Sequence, residues 1–385
     1  MEFNLLCGDA IEKLRILPDN SINTCVTSPP YYGLRDYGTG TWVGGDPSCP
    51  HYRRSKLIKE HTGTGHANTF EKSGGMGDAI YKTVCPLCGA VRVDNQIGLE
   101  ETPEDYINRL VEVFREVKRV LRDDGILWVN IGDSYSGTGD GKTGKNTLSS
   151  NNSGQMENAN GGGKGFTKKP TKTYKSKDLI GIPWMLAFAL RADGWYLRQD
   201  IIWAKNNPMP ESVKDRCTRS HEYIFMLTKN KKYWFDHEAM QEPASGYDGR
   251  KKTIHDGSPK RENMGLPDGV HEQSMVRGGH ERWNFKDGIP TRNKRDVWNV
   301  SVCSTVKEAH FAVFPKELIE PCILAGCPEG GWVLDPFNGS GTTGIVAAQN
   351  KRNYIGIDLN PEYLEITKRR VEKECTNVSI VVQNR

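Results

Sequence analysis

From Pro315 onward the apolar residues fall into a succession that only one class of sheet accommodates. Helical spacing over Pro315–Ala325 gives way to an apolar run at Trp332–Asp335 and then a Gly-rich turn. A helix at Thr343–Gln349, a second apolar run at Tyr354–Asp358 and a helix at Pro361–Cys375 follow. Strands that alternate with helices of this length need crossover connections, so the sheet is parallel with helices on its faces, an α/β architecture. The amino-terminal part fits the same layout. A strand at Phe3–Leu6 and a helix at Ala10–Leu17 precede a strand at Thr24–Thr27, which must stop where Pro29 and Pro30 remove backbone donors. Thr102-Pro103-Glu104-Asp105 supplies an N-cap, a first-turn proline and an acidic third residue, and Tyr106, Leu110, Val113, Phe114, Val117 and Leu121 recur at helical spacing. Gly125 is predicted to end that helix and Ile126–Ile131 to form a buried strand. A helix at Pro183–Ala192 leads to strands at Tyr196–Lys205 and His221–Thr228, read as a sheet edge.

Long polar segments interrupt this layout. Hydrophobic residues are only 36% of the 385, against 41 Gly and 20 Pro, so much of the length lies outside any packed core. From Gly38 to Gly98 no period survives. Gly137–Lys175 holds seven Lys against Asp140 and Glu157, and Arg250–Arg295 holds eleven Lys and Arg against six acidic residues, with Trp283 and Phe285 interleaved. The net charge of +4 is too small to name a partner by itself, which leaves these local clusters to do so. No run approaches the roughly 18 apolar residues of a membrane span, and the first ten residues lack the pattern of a signal peptide, so a soluble cytoplasmic protein is expected. Ten scattered cysteines with one close pair suggest reduced thiols and a metal site, not a disulfide framework.

The turn Asp335-Pro336-Phe337-Asn338-Gly339-Ser340-Gly341-Thr342-Thr343 follows a strand and opens a helix, so its glycines allow the backbone to fold against a ligand at the helix N-terminus. It lacks the Gly-Lys-Ser/Thr of a phosphate loop. Asp358 ends the next strand, where an acidic side chain can accept from ribose hydroxyls.

This turn resembles the S-adenosylmethionine motif of DNA amino-methyltransferases, and Thr27-Ser28-Pro29-Pro30-Tyr31 resembles their catalytic motif. With the catalytic motif first and the cofactor motif last, the order is similar to the circularly permuted β class. Gly8-Asp9, Ile202-Trp203-Ala204-Lys205 and His310-Phe311-Ala312-Val313-Phe314-Pro315 match as well, although Val313-Phe314-Pro315-Lys316 stands where the family usually has Gln-Lys-Pro. The resemblance implies a Rossmann-like fold that binds S-adenosylmethionine. Asp335, Phe337, Asn338 and the Gly339, Ser340, Gly341 and Thr342 turn would hold the methionine part, Asp358 the ribose and Asp9 the adenine amino group, with Phe311 and Phe314 lining the pocket. For Asp9 a simple helix N-cap is the competing reading.

It also implies transfer of a methyl group to an exocyclic amino nitrogen of a base flipped out of double-stranded DNA. Such a nitrogen is a poor nucleophile because its lone pair is delocalised into the ring. Acceptors at Ser28 and the Pro29 carbonyl can localise that pair, Pro30 stiffens the loop, and Tyr31 can stack on the base. No Cys is needed in the loop, and none is there. Ser at the first position is commoner among enzymes acting on N4 of cytosine, and a second aromatic, Tyr32, suggests a pocket sized for a pyrimidine; N6 of adenine is the alternative. RNA or protein amide methylation, or a binding module without chemistry, are further rivals.

Cys49-Pro50-His51 and Cys85-Pro86-Leu87-Cys88 together make a four-ligand set suited to a structural zinc ion, with His61 or His66 as variants for His51. Gly139–Asn146 nearly matches a phosphate loop but has Asn in place of the magnesium-ligating hydroxyl, and Pro321-Cys322 falls in a helical pattern that favours core packing. The resulting map has residues 1–37 and 99–136 as the catalytic half of the core and 38–98 as a zinc-binding insertion. Residues 137–177 form a flexible basic loop, 178–236 continue the core, 237–298 recognise DNA, and 299–385 form the cofactor half. By resemblance the source is prokaryotic or phage, the chain a monomer or homodimer, and a cognate restriction enzyme a partner.

Overall fold

The computed structural model describes residues 1–33, 39–53, 79–80, 84–137, 173–244, 284–286, 289–302 and 314–383. Phe311, His61, His66, the Gly139–Asn146 near-match and most of both basic stretches lie outside them. In chain order the strands are β1 (Glu2–Cys7), β2 (Ile22–Thr27), β3 (Thr41–Val43), β4 (Tyr52–Arg53), β5 (Ala79–Ile80), β6 (Val91–Val93), β7 (Leu121–Ile131) and β8 (Tyr196–Lys205). They continue as β9 (His221–Thr228), β10 (Gln241–Pro243), β11 (Asn284–Lys286), β12 (Ile289–Asn293), β13 (Val297–Val300), β14 (Trp332–Asp335), β15 (Asn353–Asp358) and β16 (Ser379–Gln383). The α-helices are α1 (Ala10–Arg15), α2 (Pro103–Val120), α3 (Ile182–Ala192), α4 (Lys316–Gly326), α5 (Thr342–Gln349) and α6 (Pro361–Glu374).

Nine strands form one sheet in the order β13-β8-β9-β7-β2-β14-β15-β1-β16. Only β9 runs antiparallel to its neighbours. Helix α2 packs on α1 and α3, and α5 packs on α4 and α6, which gives the two helical layers a parallel sheet requires. From β14 the chain winds outward through β15, and from β2 it winds the other way through β7. The order therefore reverses between β14 and β2, and in such sheets ligands bind outside the carboxyl ends of the strands at that reversal. The chain divides into two compact units, Met1–Asp236 with Asp296–Arg385, and His237–Arg295. The second unit contains the three-stranded sheet β10-β12-β11, where Glu242 pairs with Arg292 and Arg295.

Local chemistry explains the best-defined boundaries. Thr102 caps α2 by accepting the Asp105 N–H at 3.1 Å and donating to the Asp105 carboxylate at 2.6 Å, while Pro103 occupies the first turn. One face of α2, including Tyr106, Leu110, Val113, Phe114 and Val117, is fully buried. Arg119 on the other side reaches the Leu14 and Leu17 carbonyls and so caps the carboxyl end of α1.

Gly125 does not end the helix. The chain leaves helical geometry at Leu121, and Gly125 lies inside β7, where the register against β2 shifts between Ile22 and Thr24. A Cβ there would sit 3.0 Å from the Arg122 carbonyl and 3.1 Å from that of Asn23, so the glycine serves close strand approach. Nor is β8 the edge: β13 pairs with it in parallel, and β16 closes the opposite side against β1. Cys322 is buried inside α4, as its helical spacing implied.

Candidate functional site

Two loops leave the carboxyl ends of adjacent strands, one from β14 and one from β2, and a short hydrogen bond joins them, with a longer one from Thr343 to the Val26 carbonyl beside it. Thr27, the last residue of β2, donates its hydroxyl to Asp335 Oδ1 at 2.6 Å. The same oxygen accepts the Phe337 N–H at 3.0 Å, and Oδ2 accepts the Thr343 hydroxyl at 2.7 Å. Burial pushes this carboxyl up to about 6, opposed by those donors, so the group is held by hydrogen bonds where solvent cannot reach it. Asp335 therefore acts inside the turn, tying it to β2, with three of its roughly four acceptor positions in use.

The remaining turn residues divide by direction. The Asn338 side chain accepts from the Tyr354 hydroxyl and donates to the Gly339 carbonyl and Thr367 hydroxyl, each at 2.8 Å, and so locks the turn to β15 and α6. Gly339 and Gly341 have positive φ of 51° and 77°, backbone that a side chain would strain. The hydroxyl and carbonyl of Ser340 receive Arg370 at 2.9 and 2.8 Å, which turns Ser340 toward α6. Thr342, also reached by Arg370, opens α5, whose N-cap Gly341 provides no side-chain cap. Uncapped first-turn N–H groups suit a carboxylate. Asp358, at the end of β15, accepts the Gly339 and Asn360 N–H groups at 2.8 and 2.9 Å, and burial pushes it up to about 7. Phe337 packs against the core, and Phe314 is half-buried just before α4.

The loop from β2 is held from farther away. Pro29 is buried and Ser28 partly exposed. The Tyr31 hydroxyl donates to Glu222 Oε2 at 2.6 Å and lies 3.2 Å from Asn130 Oδ1, and the Ser28 side chain bonds the same phenol. Burial, followed by the Glu222 charge, pushes the phenol well above its ordinary value, so it stays a donor. Glu222 is in turn paired with Lys205, whose ammonium lies 4.7 Å from the Trp203 ring centre. A Cβ at Gly132 would meet Tyr31 Cε2 at 2.7 Å, so that glycine admits the ring. Behind the loop, Tyr106 donates to the Pro30 carbonyl at 2.8 Å.

Tyr32 behaves differently from the expectation. It is 3% exposed, packs on Tyr106 and donates to the Glu101 carbonyl, so it belongs to the core and cannot set the size of a base pocket. Glu222 and Asn130 were missed by sequence reasoning. The one signal was an acidic residue in the otherwise apolar strand β9. Thr27 stood inside the motif without a role, and only the fold shows its bond to Asp335.

Asp9 caps α1, Oδ1 accepting the Ile11 and Glu12 N–H groups, while Oδ2 receives Arg109 at 3.3 Å. It also borders a cavity of about 390 Å³ at the carboxyl ends of β1 and β15, where Leu359 follows Asp358. The ligand atoms of Cys49, His51, Cys85 and Cys88 all lie within 4.8 Å of one another. Burial opposes ionisation of Cys88, but the Ala90 and Asp46 backbone and the neighbouring thiols outweigh it and bring that thiol below its ordinary value.

Comparison with known proteins agrees with this geometry. A family model described as DNA methylase, covering N6 and N4 methyltransferases, matches residues 22–369. Type II methyltransferase M.Cfr9I of Citrobacter freundii is 40% identical over 96% of this chain and 88% of its own length. Type II methyltransferase M.SmaI of Serratia marcescens is 38% identical over 95% of this chain and 90% of its own. Among solved structures, the PvuII DNA methyltransferase (cytosine-N4-specific) shares the fold with a TM-score of 0.52 and 15% identity, covering 96% of this chain and 86% of that one.

Proposed function

The chain belongs to the N6/N4 family of DNA methylases, and from that premise we propose that it moves a methyl group from S-adenosylmethionine to N4 of cytosine in double-stranded DNA. The observation that carries this reading is the Thr27–Asp335 bond, which fixes Ser28-Pro29-Pro30-Tyr31 beside the Gly-rich turn at the reversal of strand order. The turn fits the cofactor: the uncapped start of α5 suits the amino-acid end, and the cavity bordered by Asp9 and Leu359 suits the adenosine end. When bound, S-adenosylmethionine supplies an electrophilic methyl carbon and leaves as a neutral thioether.

This chain's own residues handle the base. The Ser28 hydroxyl and Pro29 carbonyl accept from the amino hydrogens and localise the nitrogen lone pair, and the surplus proton departs to water. Tyr31, pinned at its hydroxyl by Glu222 and Asn130, keeps its ring at a fixed angle for stacking on the extrahelical base. The basic stretches Lys142–Lys177 and Arg250–Arg295 contact phosphates. Likeness to type II methyltransferases supports a role beside a restriction enzyme. Among the described residues no helix is long and apolar enough to cross a membrane.

The choice of cytosine rests on Ser28 at the first motif position. Nucleoside mass spectrometry on duplex DNA methylated in vitro tests it, with N4-methylcytosine the expected product. N6-methyladenine in its place would move the target atom and leave the enzyme class standing.

A further inference from the structure

We propose that Cys49, His51, Cys85 and Cys88 bind one zinc ion, and that this ion holds one wall of the cofactor cavity in place, so that metal occupancy sets cofactor affinity. The second half of the proposal rests on the reading that this cavity takes the adenosine end of S-adenosylmethionine.

Two of the separations among the four ligands match a tetrahedral ion, and all the ligand atoms lie within 4.8 Å of one another. Cys49 Sγ and Cys85 Sγ are 3.7 Å apart, and Cys88 Sγ and His51 Nδ1 are 3.5 Å apart. Zinc–sulfur bonds of about 2.3 Å and zinc–nitrogen bonds of about 2.0 Å at tetrahedral angles require separations of about 3.8 and about 3.5 Å. A disulfide between Cys49 and Cys85 would need about 2.05 Å, so the pair is not oxidised. Three thiols and an imidazole form a closed donor set of the kind zinc takes in structural sites.

The surroundings are shaped to this cluster. Cys85 and Ala90 close a tight knuckle through an N–H to carbonyl bond of 2.8 Å, and Gly89 takes a left-handed φ of 75° within it. His51 also has a positive φ, 53°, and its ring stacks on Trp42 with centroids 4.5 Å apart. A Cβ on Gly45 would come within 2.8 Å of Cys88 Sγ, so this position admits only glycine beside the ligand.

The cluster is joined to the cavity through β3 and β6. Trp42 is the middle residue of β3, whose neighbour Thr41 pairs with Val93 of β6. Thr41, Val93 and Asn95 line the cavity together with Gly8, Asp9 and Leu359. Between residues 39 and 95 only Cys85 and Ala90 are buried among the described residues, and both belong to the knuckle. Asp94 binds Thr39, Arg92 and the Gln96 N–H at the base of this wall, but with so little apolar burial among the described residues the ion supplies the rest of the folding free energy that keeps it in position.

The test uses the full chain purified without chelator. Metal analysis should find about one zinc per chain, and cobalt loaded in its place should show thiolate charge-transfer absorption; both should be lost in Cys88→Ser. Calorimetry with S-adenosylhomocysteine should then show affinity falling about tenfold or more in Cys88→Ser and in chelator-stripped wild type, and returning when zinc is added back to the stripped protein. The stripped and reloaded wild type keeps the test open if the variant does not fold. Metal-free wild type, or cobalt without the thiolate bands, overturns the site. Unchanged affinity after complete removal of zinc overturns the coupling. Zinc-loaded wild type that ignores the cofactor analogue overturns the cofactor reading, while the metal count is read independently.

Discussion

The turn after β14 and the loop after β2 lie side by side, yet they are made rigid in different ways. The turn is held largely by its own neighbours: Asp335 binds Phe337 and Thr343, two and eight residues on. The loop is held from a distance, with Tyr31 anchored by Asn130 and Glu222, 99 and 191 residues away, and Pro30 by Tyr106. Apart from Thr27 and the Val26 carbonyl, the turn's partners, Tyr354, Asp358, Thr367 and Arg370 included, all come from the same carboxyl-terminal stretch of chain. The loop borrows its shape from strands β7 and β9 and can be loosened while the turn stays intact. The two are joined by Thr27 on Asp335, so damage on the Asp335 side should reach both, while damage on the Glu222 side should stay with the loop.

The strongest test of that asymmetry is Asp335→Ala. It strips three donors of an acceptor in a site that is 2% exposed, leaving the Thr27 hydroxyl and the Phe337 N–H unsatisfied and the Thr343 hydroxyl with only the Val26 carbonyl at 3.4 Å. Unpaired buried polar groups cost about 1–3 kcal/mol each, so a stability loss of about 3–5 kcal/mol is expected, with cofactor affinity falling about a hundredfold or more. Calorimetry and thermal melts measure both. A folded variant with wild-type affinity would remove Asp335 from the centre of the site.

A second effect on the same side appears with pH. Burial raises Asp335 to about 6 and Asp358 to about 7, above the ordinary carboxylate range of the unfolded chain. Across roughly pH 4–7 the folded state thus keeps protons that the unfolded state releases, and stability falls as pH rises through that window, then levels off. For Asp335 alone the span is worth about 3 kcal/mol, at about 1.36 kcal/mol per pH unit. Melting the cofactor-free protein from pH 5 to 8 should show the fall, and Asp358→Asn should leave only the part that Asp335 contributes, below about pH 6. An equally steep fall in that variant would place the titration elsewhere.

On the loop side, Glu222→Gln keeps the shape of the side chain but removes the charge that receives Tyr31 and Lys205. Hydrogen bonds to charged groups are worth about 1.5–3 kcal/mol, so a fall in single-turnover rate of about 10- to 100-fold is expected, with cofactor affinity changed less than about twofold. An equal loss of cofactor affinity would mean that the two regions do not separate as described.

How much of this was legible follows the same division. The β14–α5–β15–α6 succession could be read because strand and helix periods repeat over short spans, and Thr102-Pro103 announced α2 through its own capping chemistry. The Gly-rich turn is equally local, and so is the Cys85–Cys88 spacing. What escaped depends on register between distant segments. Gly125 looked like a helix stop, but the close approach of Asn23 that requires it comes from β2. Tyr32 looked like a wall of the base pocket, and its direction into the core is set by Tyr106 on α2. Strands β13 and β16 are short edge strands whose partners, β8 and β1, supply most of the reason for their existence. Asp335 was found as an acidic residue at a strand end, but its bond to Thr27 becomes visible only when β2 and β14 are paired.

The smallest expected effect decides a residue that lies between the two descriptions. Asp9 uses Oδ1 for the first N–H groups of α1 and Oδ2 for Arg109, whose side chain is 36% exposed. Serine is as good an N-cap as aspartate, and a half-exposed ion pair is worth at most about 1 kcal/mol, so Asp9→Ser should cost less than about 1 kcal/mol of stability. If the carboxylate does no more than cap, affinity for S-adenosylhomocysteine should stay within about twofold. Should Oδ2 also accept the adenine amino group across the cavity, that affinity should drop about three- to tenfold, the worth of one hydrogen bond to a charged acceptor offset by the loss of Arg109's competition. Asp9 borders the cavity as well as starting the helix, so the second outcome is expected. A variant with unchanged affinity would return Asp9 to the helix alone and leave the adenine amino group to backbone carbonyls near Leu359.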